Sequence, residues 1–170
     1  AGPACGTAAL AAAQSGLHVV VLGEQPKPGG QIWRDKSPSI LSAPMTPEGK
    51  AGDALRSALT NSPVTQLTST RVWNIGSQDD MWTLEFLRNQ TAQQIRARAL
   101  ILATGAREYV QPVPGLTTPG VIGLAGATAM FKQSLSLPGK RTVVSGTGPL
   151  TFYVASEIRR LGGDVAAVVT

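Results

Sequence analysis

"AGPACGTAALAAAQSGLHVVVLGE" (1–24) and "TGPLTFYVASEIRRLGGDVAAVVT" (147–170) are two versions of one pattern, and their correspondence decides the fold. Laid over one another, they pair Gly2 with Gly148 and Gly16 with Gly162. Residues 3–15 are alanine-rich with strong helix propensity, and Gly16 is placed to end the helix. "LHVVVLG" (17–23) is short, β-branched and apolar throughout, the signature of a buried parallel strand. The second copy also carries what should precede such a turn, a strand over 141–145 running into Gly146. Its helix is expected from about 149 to 161 and its closing strand within 162–170. Strand, glycine turn, helix and strand make a βαβ unit, so two units in tandem are expected. On this reading the first strand of the first unit lies before residue 1, and more chain follows Thr170.

Between the copies, the loop "EQPKPGGQIWRDKSP" (24–38) precedes an expected helix over 48–60. Three strand-like runs follow, at 64–75, 81–88 and 93–104, separated by the turn residues of "GSQDD" and "NQTA". The third run changes from the alternating "QQIRAR" to the continuously apolar "ALILAT", as if leaving an exposed meander for a buried sheet. A connector rich in Pro and Gly spans 105–123, and a helix is expected over 124–135.

Composition narrows the function classes. The chain has 170 residues, 42% hydrophobic and 15% charged, which suits a globular α/β protein. The net charge of +5 comes from scattered Lys and Arg without a basic run, so a nucleic-acid partner is not expected. No apolar run approaches the ~20 residues that cross a bilayer, and a cytoplasmic location is expected. One Cys and one His exclude an intrachain disulfide, a redox-active cysteine pair and a Cys/His metal cluster within these residues.

A dinucleotide turn must bring pyrophosphate oxygens close to backbone N–H groups at a helix N-terminus, where the helix dipole favours negative charge. Glycines allow that approach and let helix and strand pack tightly. The second turn reads Gly146-Thr147-Gly148-Pro149-Leu150, with Thr151 in place of a third glycine. The first offers Gly2, Pro3, Ala4 and Cys5, where Cys5 takes the packing position and is expected to pack rather than to react. An acid ordinarily ends the second strand and takes the ribose hydroxyls. That place falls on Gly23, so Glu24 is the candidate.

With "PGGQIWR" (28–34) and "ILATGARE…PGLTTPGV" (101–121) added, the chain resembles the two-dinucleotide-domain flavoprotein family over nearly its whole length. It most resembles the FAD-binding subunits of amine and amino-acid dehydrogenases, among them opine and hydroxyproline dehydrogenases, hydrogen cyanide synthase and the alpha subunit of sarcosine oxidase. The resemblance implies a Rossmann-like FAD-binding domain with a three-stranded β-meander over 1–115, a connector at 116–138, and the start of a second, NAD(P)-type domain at 139–170. It implies FAD pyrophosphate at Gly2, Pro3, Ala4 and Cys5, with Glu24 and Gln25 beside the adenosine ribose. Gly30, Gln31 and Arg34 would pass near the pyrophosphate and ribityl chain, and Val72 would meet adenine through its backbone. Ala103, Thr104, Gly105 and Arg107 would form the returning segment beside the flavin. Read from chemistry alone, Arg107 serves a phosphate, a substrate carboxylate or a surface ion pair with Glu108. Gly146, Gly148, Pro149 and Leu150 would form the second nucleotide site, for NAD(P).

The implied function is FAD-dependent oxidation of a C–N bond in a small amine or amino acid, with partner subunits. The alternatives are an NAD(P)H-dependent flavoprotein reductase and an inactive fragment or nucleotide-binding and assembly module. Cys5, Gly23 and Thr151 depart from the family pattern. The first two lower the expected affinity for FAD, and the third weakens the case for NAD(P). No residue declares itself a catalytic base.

Overall fold

The computed structural model describes residues 1–35, 46–134 and 136–170. The last three residues of the loop expected over 24–38 lie outside that set. The described residues fall into two units, 1–35 with 46–105, and 106–134 with 136–170.

In the first unit α1 (Pro3–Gln14) starts on the phosphate-type turn, with Pro3 at its first helical position. It ends in a Schellman arrangement: Gly16 N–H donates to Ala13 O (3.0 Å) and Leu17 N–H to Ala12 O (3.2 Å), with Gly16 at φ +80°. β1 (Val20–Leu22) is shorter than the apolar run suggested, and Leu17 is exposed. α2 (Pro47–Thr60) is capped by Thr46, whose Oγ1 accepts from Gly49 N–H at 3.1 Å. Gly52, Leu55 and Leu59 recur at helical spacing and turn inward. Ala9, Val21, Leu55, Leu59 and Val64 form the core, and Cys5 and Trp33 pack against it.

The run at 64–75 proves to be two strands. β2 (Thr65–Leu67) pairs in parallel with β1, Val21 opposite Gln66. After Ser69 at φ +50°, β3 (Thr70–Gln78) enters an antiparallel meander with β4 (Met81–Arg88) and β5 (Thr91–Ala97). Its two hairpin turns, Asp79-Asp80 and Asn89-Gln90, hold both residues at positive φ, as type I′ turns require. Leu84 and Phe86 are the meander's buried hydrophobic residues, and the register shifts between Val72 and Asn74.

The apolar run at 99–104 forms no strand, and Ile101 and Leu102 are each 67% exposed. A continuously apolar strand needs hydrogen-bonding neighbours, whereas the parallel sheet of this unit consists of β1 and β2.

In the second unit come α3 (Leu124–Ser134), β6 (Arg141–Ser145), α4 (Pro149–Arg160) and β7 (Asp164–Val169). β6 and β7 are parallel and joined through α4, a complete βαβ unit. Ala127, Phe131, Val144, Val154 and Ile158 form its core. α4 ends as α1 does: Gly162 N–H donates to Arg159 O (3.0 Å) and Gly163 N–H to Ile158 O (2.9 Å), with Gly162 at φ +83°. The repeat read from the sequence is thus present at both ends of both helices. No helix of the described residues is long and apolar enough to cross a membrane.

Candidate functional site

The first turn leaves donors open. Gly2 caps α1 at φ −81°, Pro3 has no N–H, and Gly6 N–H makes the first helical bond, to Gly2 O at 2.9 Å. The N–H groups of Ala4 and Cys5 therefore have no acceptor within the helix. No side chain caps them and no acidic residue stands in the first turn. Two orphan donors at the positive end of a helix dipole suit an anion. Cys5 packs against the core, and the next residue is tighter still: a Cβ on Gly6 would lie 2.8 Å from Leu55 Cδ1.

The "PGG" loop returns over this turn. Gly29 N–H donates to Ala1 O at 2.8 Å, and Gly30 stands at φ +61°. A Cβ on Gly30 would lie 2.8 Å from Gly2 Cα, so these two backbones meet without side chains between them. Arg56 holds the loop in place. Its Nη1 donates to Pro28 O and Trp33 O, each at 3.0 Å, and its Nη2 pairs with Asp53 at 2.7 Å. Gln31 is exposed and Arg34 half-buried, farther along the same loop.

The end of β1 explains the displaced acid. A Cβ on Gly23 would lie 2.6 Å from the Ala1 nitrogen, so that position has no room for a side chain. The carboxylate comes one residue later, on Glu24. Thr70 N–H donates to Gly23 O (3.0 Å) and Ser69 N–H to Gln25 O (3.2 Å), which ties this segment to the start of β3. There Arg71 donates to Glu24 Oε1 through Nε at 2.8 Å and Nη2 at 2.7 Å. Glu24, Ser69, Arg71, Leu87, Asn89 and Gln90 line an open cavity of about 280 Å³. Val72 is the next residue on β3, half-buried opposite Phe86.

The remaining candidates are more dispersed. Ala103 is half-buried, Thr104 is exposed, and Gly105 stands at φ +77° in the irregular segment. Arg107 belongs to the second unit and is exposed. Its neighbour Glu108 caps α3, accepting from Leu124 N–H at 2.7 Å and Ala125 N–H at 3.0 Å.

In the second turn Gly146 N–H donates to Val169 O at 2.9 Å, and Gly148 caps α4 at φ +94°. Pro149 opens the helix and Leu150 is 39% exposed. Thr151 is accommodated rather than excluded: it is fully buried, its N–H donates to Gly148 O at 3.3 Å, and its hydroxyl has no partner.

Sequence reasoning missed Gly6, Arg56 and Arg71. Arg56 had a signal, because it shares the inward stripe of α2 with Gly52, Leu55 and Leu59, where a charge needs a buried reason. Arg71 had none, since its partner lies 47 residues away.

The pyridine nucleotide-disulphide oxidoreductase family model matches residues 1–170. One subunit of the opine oxidase of Rhizobium meliloti is 35% identical over 167 residues, covering 93% of this chain and 31% of that protein. The HcnB subunit of hydrogen cyanide synthase from Pseudomonas aeruginosa is 30% identical, covering 95% and 35%. The chain thus spans about a third of the length of these relatives. Among solved structures, L-proline dehydrogenase from P. horikoshii superposes with a TM-score of 0.83 at 23% identity, over 99% of this chain and 34% of the other, a likeness of fold.

Proposed function

The chain belongs to the pyridine nucleotide-disulphide oxidoreductase family, whose members are FAD-dependent oxidoreductases with NAD(P) use in some of them, and from that premise we propose that it forms the FAD-binding part of an amine or imino-acid dehydrogenase. The observation that carries the reading is the side-chain-free approach of Gly30 to Gly2, at the helix start that leaves the Ala4 and Cys5 N–H groups without helical acceptors. A pyrophosphate needs such a cradle: donors at its floor, a helix dipole behind them, and no Cβ in the way. Gly2, Ala4, Cys5 and Gly30 would hold the pyrophosphate, and Glu24 the adenosine ribose. Ala103, Thr104 and Gly105 remain candidates for the flavin end, and Arg107 for a substrate carboxylate.

FAD, when bound, supplies the acceptance of a hydride equivalent from the carbon of a C–N bond. These residues bind and orient; none of them is assigned a proton-transfer role. The relatives are named as subunits of larger enzymes, which supports partner subunits here. A cytoplasmic location is part of the same proposal. An NAD(P)H-dependent reductase is the second reading, favoured by the glycine turn of α4 with Gly146, Gly148, Pro149 and Leu150.

The test is anaerobic reduction of the full-length protein. A small amino acid or opine should bleach its flavin spectrum, and NADH or NADPH should not. Bleaching by a nicotinamide nucleotide alone would select the reductase. Failure of the purified full-length protein to take up FAD would overturn both readings.

A further inference from the structure

The loop from Lys27 to Asp35 is closed on itself by charge. Lys27 Nζ pairs with Asp35 Oδ2 at 2.5 Å and joins its two ends, eight residues apart. Arg56 meets both ends as well, through Nη1 to Pro28 O and Trp33 O and with Nη2 3.8 Å from Asp35 Oδ1. Asp53 completes the set at 2.7 Å from Nη2, so charge alternates along Lys27, Asp35, Arg56 and Asp53. α2 makes room for the guanidinium. Gly52 is buried within the helix, where glycine is a poor helix former, and a Cβ on it would lie 2.9 Å from Arg56 Nη2 and 3.0 Å from Trp33 Cβ. Gly29 and Gly30, consecutive at positive φ, give the loop a hinge. Two backbone bonds mark its closed state, Gly29 N–H to Ala1 O at 2.8 Å and Trp33 N–H to Gly29 O at 3.0 Å.

We infer that residues 27–35 are a strap that swings away from the α1 turn when FAD enters or leaves, and that the Lys27–Asp35–Arg56–Asp53 network is its latch, so that ionic strength sets the rate of cofactor exchange. The inference rests on the FAD reading above and adds to it a control over exchange. In its closed position the strap brings Gly30 against Gly2, at the helix start offered to the pyrophosphate. The physical reason for the salt dependence is exposure. Lys27 and Asp53 are 59% and 53% exposed, so dissolved ions screen their pairs, whereas the Arg56 side chain is only 16% exposed. The packing of Trp33 on the core is apolar and carries no such dependence. Asp35 is the link shared by Lys27 and Arg56, so removing its charge breaks the latch at both joints.

The experiment follows FAD release from the full-length holoprotein by flavin fluorescence, at about 20 mM and about 500 mM NaCl. Amide exchange over 29–33 is read under the same two conditions. The proteins are the wild type, Asp35→Asn, Asp35→Glu and Lys27→Met. Salt should speed wild-type release by roughly fivefold and quicken exchange over 29–33 with it. Asp35→Asn and Lys27→Met should release FAD at low salt about as fast as the wild type does at high salt, with little further response, while Asp35→Glu keeps most of the response. Salt that merely screened the FAD phosphates would act on every variant alike. Asp35→Asn and Lys27→Met proteins that keep the wild-type response therefore overturn the inference while FAD binding stands. So does a wild type indifferent to salt, or one whose release quickens with exchange over 29–33 unchanged, since the strap is then not the part that moves. A full-length protein that takes up no FAD removes the FAD reading itself and this inference with it.

Discussion

The two glycine turns share a sequence pattern and are built in different ways. Gly2 and Gly148 each cap a helix opened by proline, and both helices end on a glycine at positive φ. Gly2, however, stands at φ −81°, a conformation open to any residue, while Gly148 stands at φ +94°. What confines the first turn is the "PGG" loop beside it: a Cβ on Gly30 would lie 2.8 Å from Gly2 Cα, while a Cβ on Gly2 would meet Gly30 Cα at an ordinary 4.0 Å. What confines Gly148 is its own backbone, since a Cβ there would meet nothing within 4 Å. The position after each turn differs too, Cys5 half-buried against one core and Thr151 fully buried with an unpartnered hydroxyl. The same short motif thus marks a site closed by a second segment in one unit and a turn open above its cap in the other.

That comparison can be broken most directly at Gly30. Valine there combines a left-handed φ that a β-branched residue rarely adopts with a clash against Gly2, a strain of about 3 kcal/mol, so FAD affinity of the full-length protein should fall by roughly a hundredfold. A dissociation constant within about threefold of the wild type would show that the loop does not close the first turn.

The next effect should come from Arg56→Ala, which removes the clamp on Pro28 O and Trp33 O and leaves two carbonyls unanswered. A loss of about 2 kcal/mol is expected, read as faster amide exchange over 29–34 together with a several-fold weaker hold on FAD. Unchanged exchange in that loop would assign its order to Trp33 and the core instead.

The smallest and sharpest test sets Gly2→Ala against Gly148→Ala. The first should leave stability within about 0.5 kcal/mol while weakening FAD several-fold, because its methyl enters the cradle. The second should cost about 1–2 kcal/mol in chemical denaturation and leave FAD affinity intact, because its penalty is backbone strain. The same ranking of the two variants in both measurements would erase the difference between the turns.

Much of the fold was legible because its signals are local. Pro3 and Gly16 bound one helix as Pro149 and Gly162 bound the other, and a 3.6-residue stripe on α2 marked its inward face. The meander showed in its turn residues, although the run at 64–75 concealed a change of sheet at Ser69 that no apolar pattern announces. The run at 99–104 read as a buried strand because its residues are apolar. Whether it becomes one depends on a hydrogen-bonding neighbour, which is a property of the sheet.

The candidate site divides in the same way. The sequence by itself determined the two glycine turns, the side-chain-free "PGG" loop and a carboxylate at the end of β1, because each is a demand of backbone conformation or residue chemistry on a few adjacent positions. Tertiary structure alone decided that Gly30 meets Gly2, that a Cβ on Gly23 would run into the Ala1 nitrogen, and that Arg56 and Arg71 pair with the loop carbonyls and with the Glu24 carboxylate. Those are contacts between residues far apart in the chain, 47 positions in the case of Arg71 and Glu24, and they are fixed by how β1, α2 and β3 pack. No spacing in the chain encodes them.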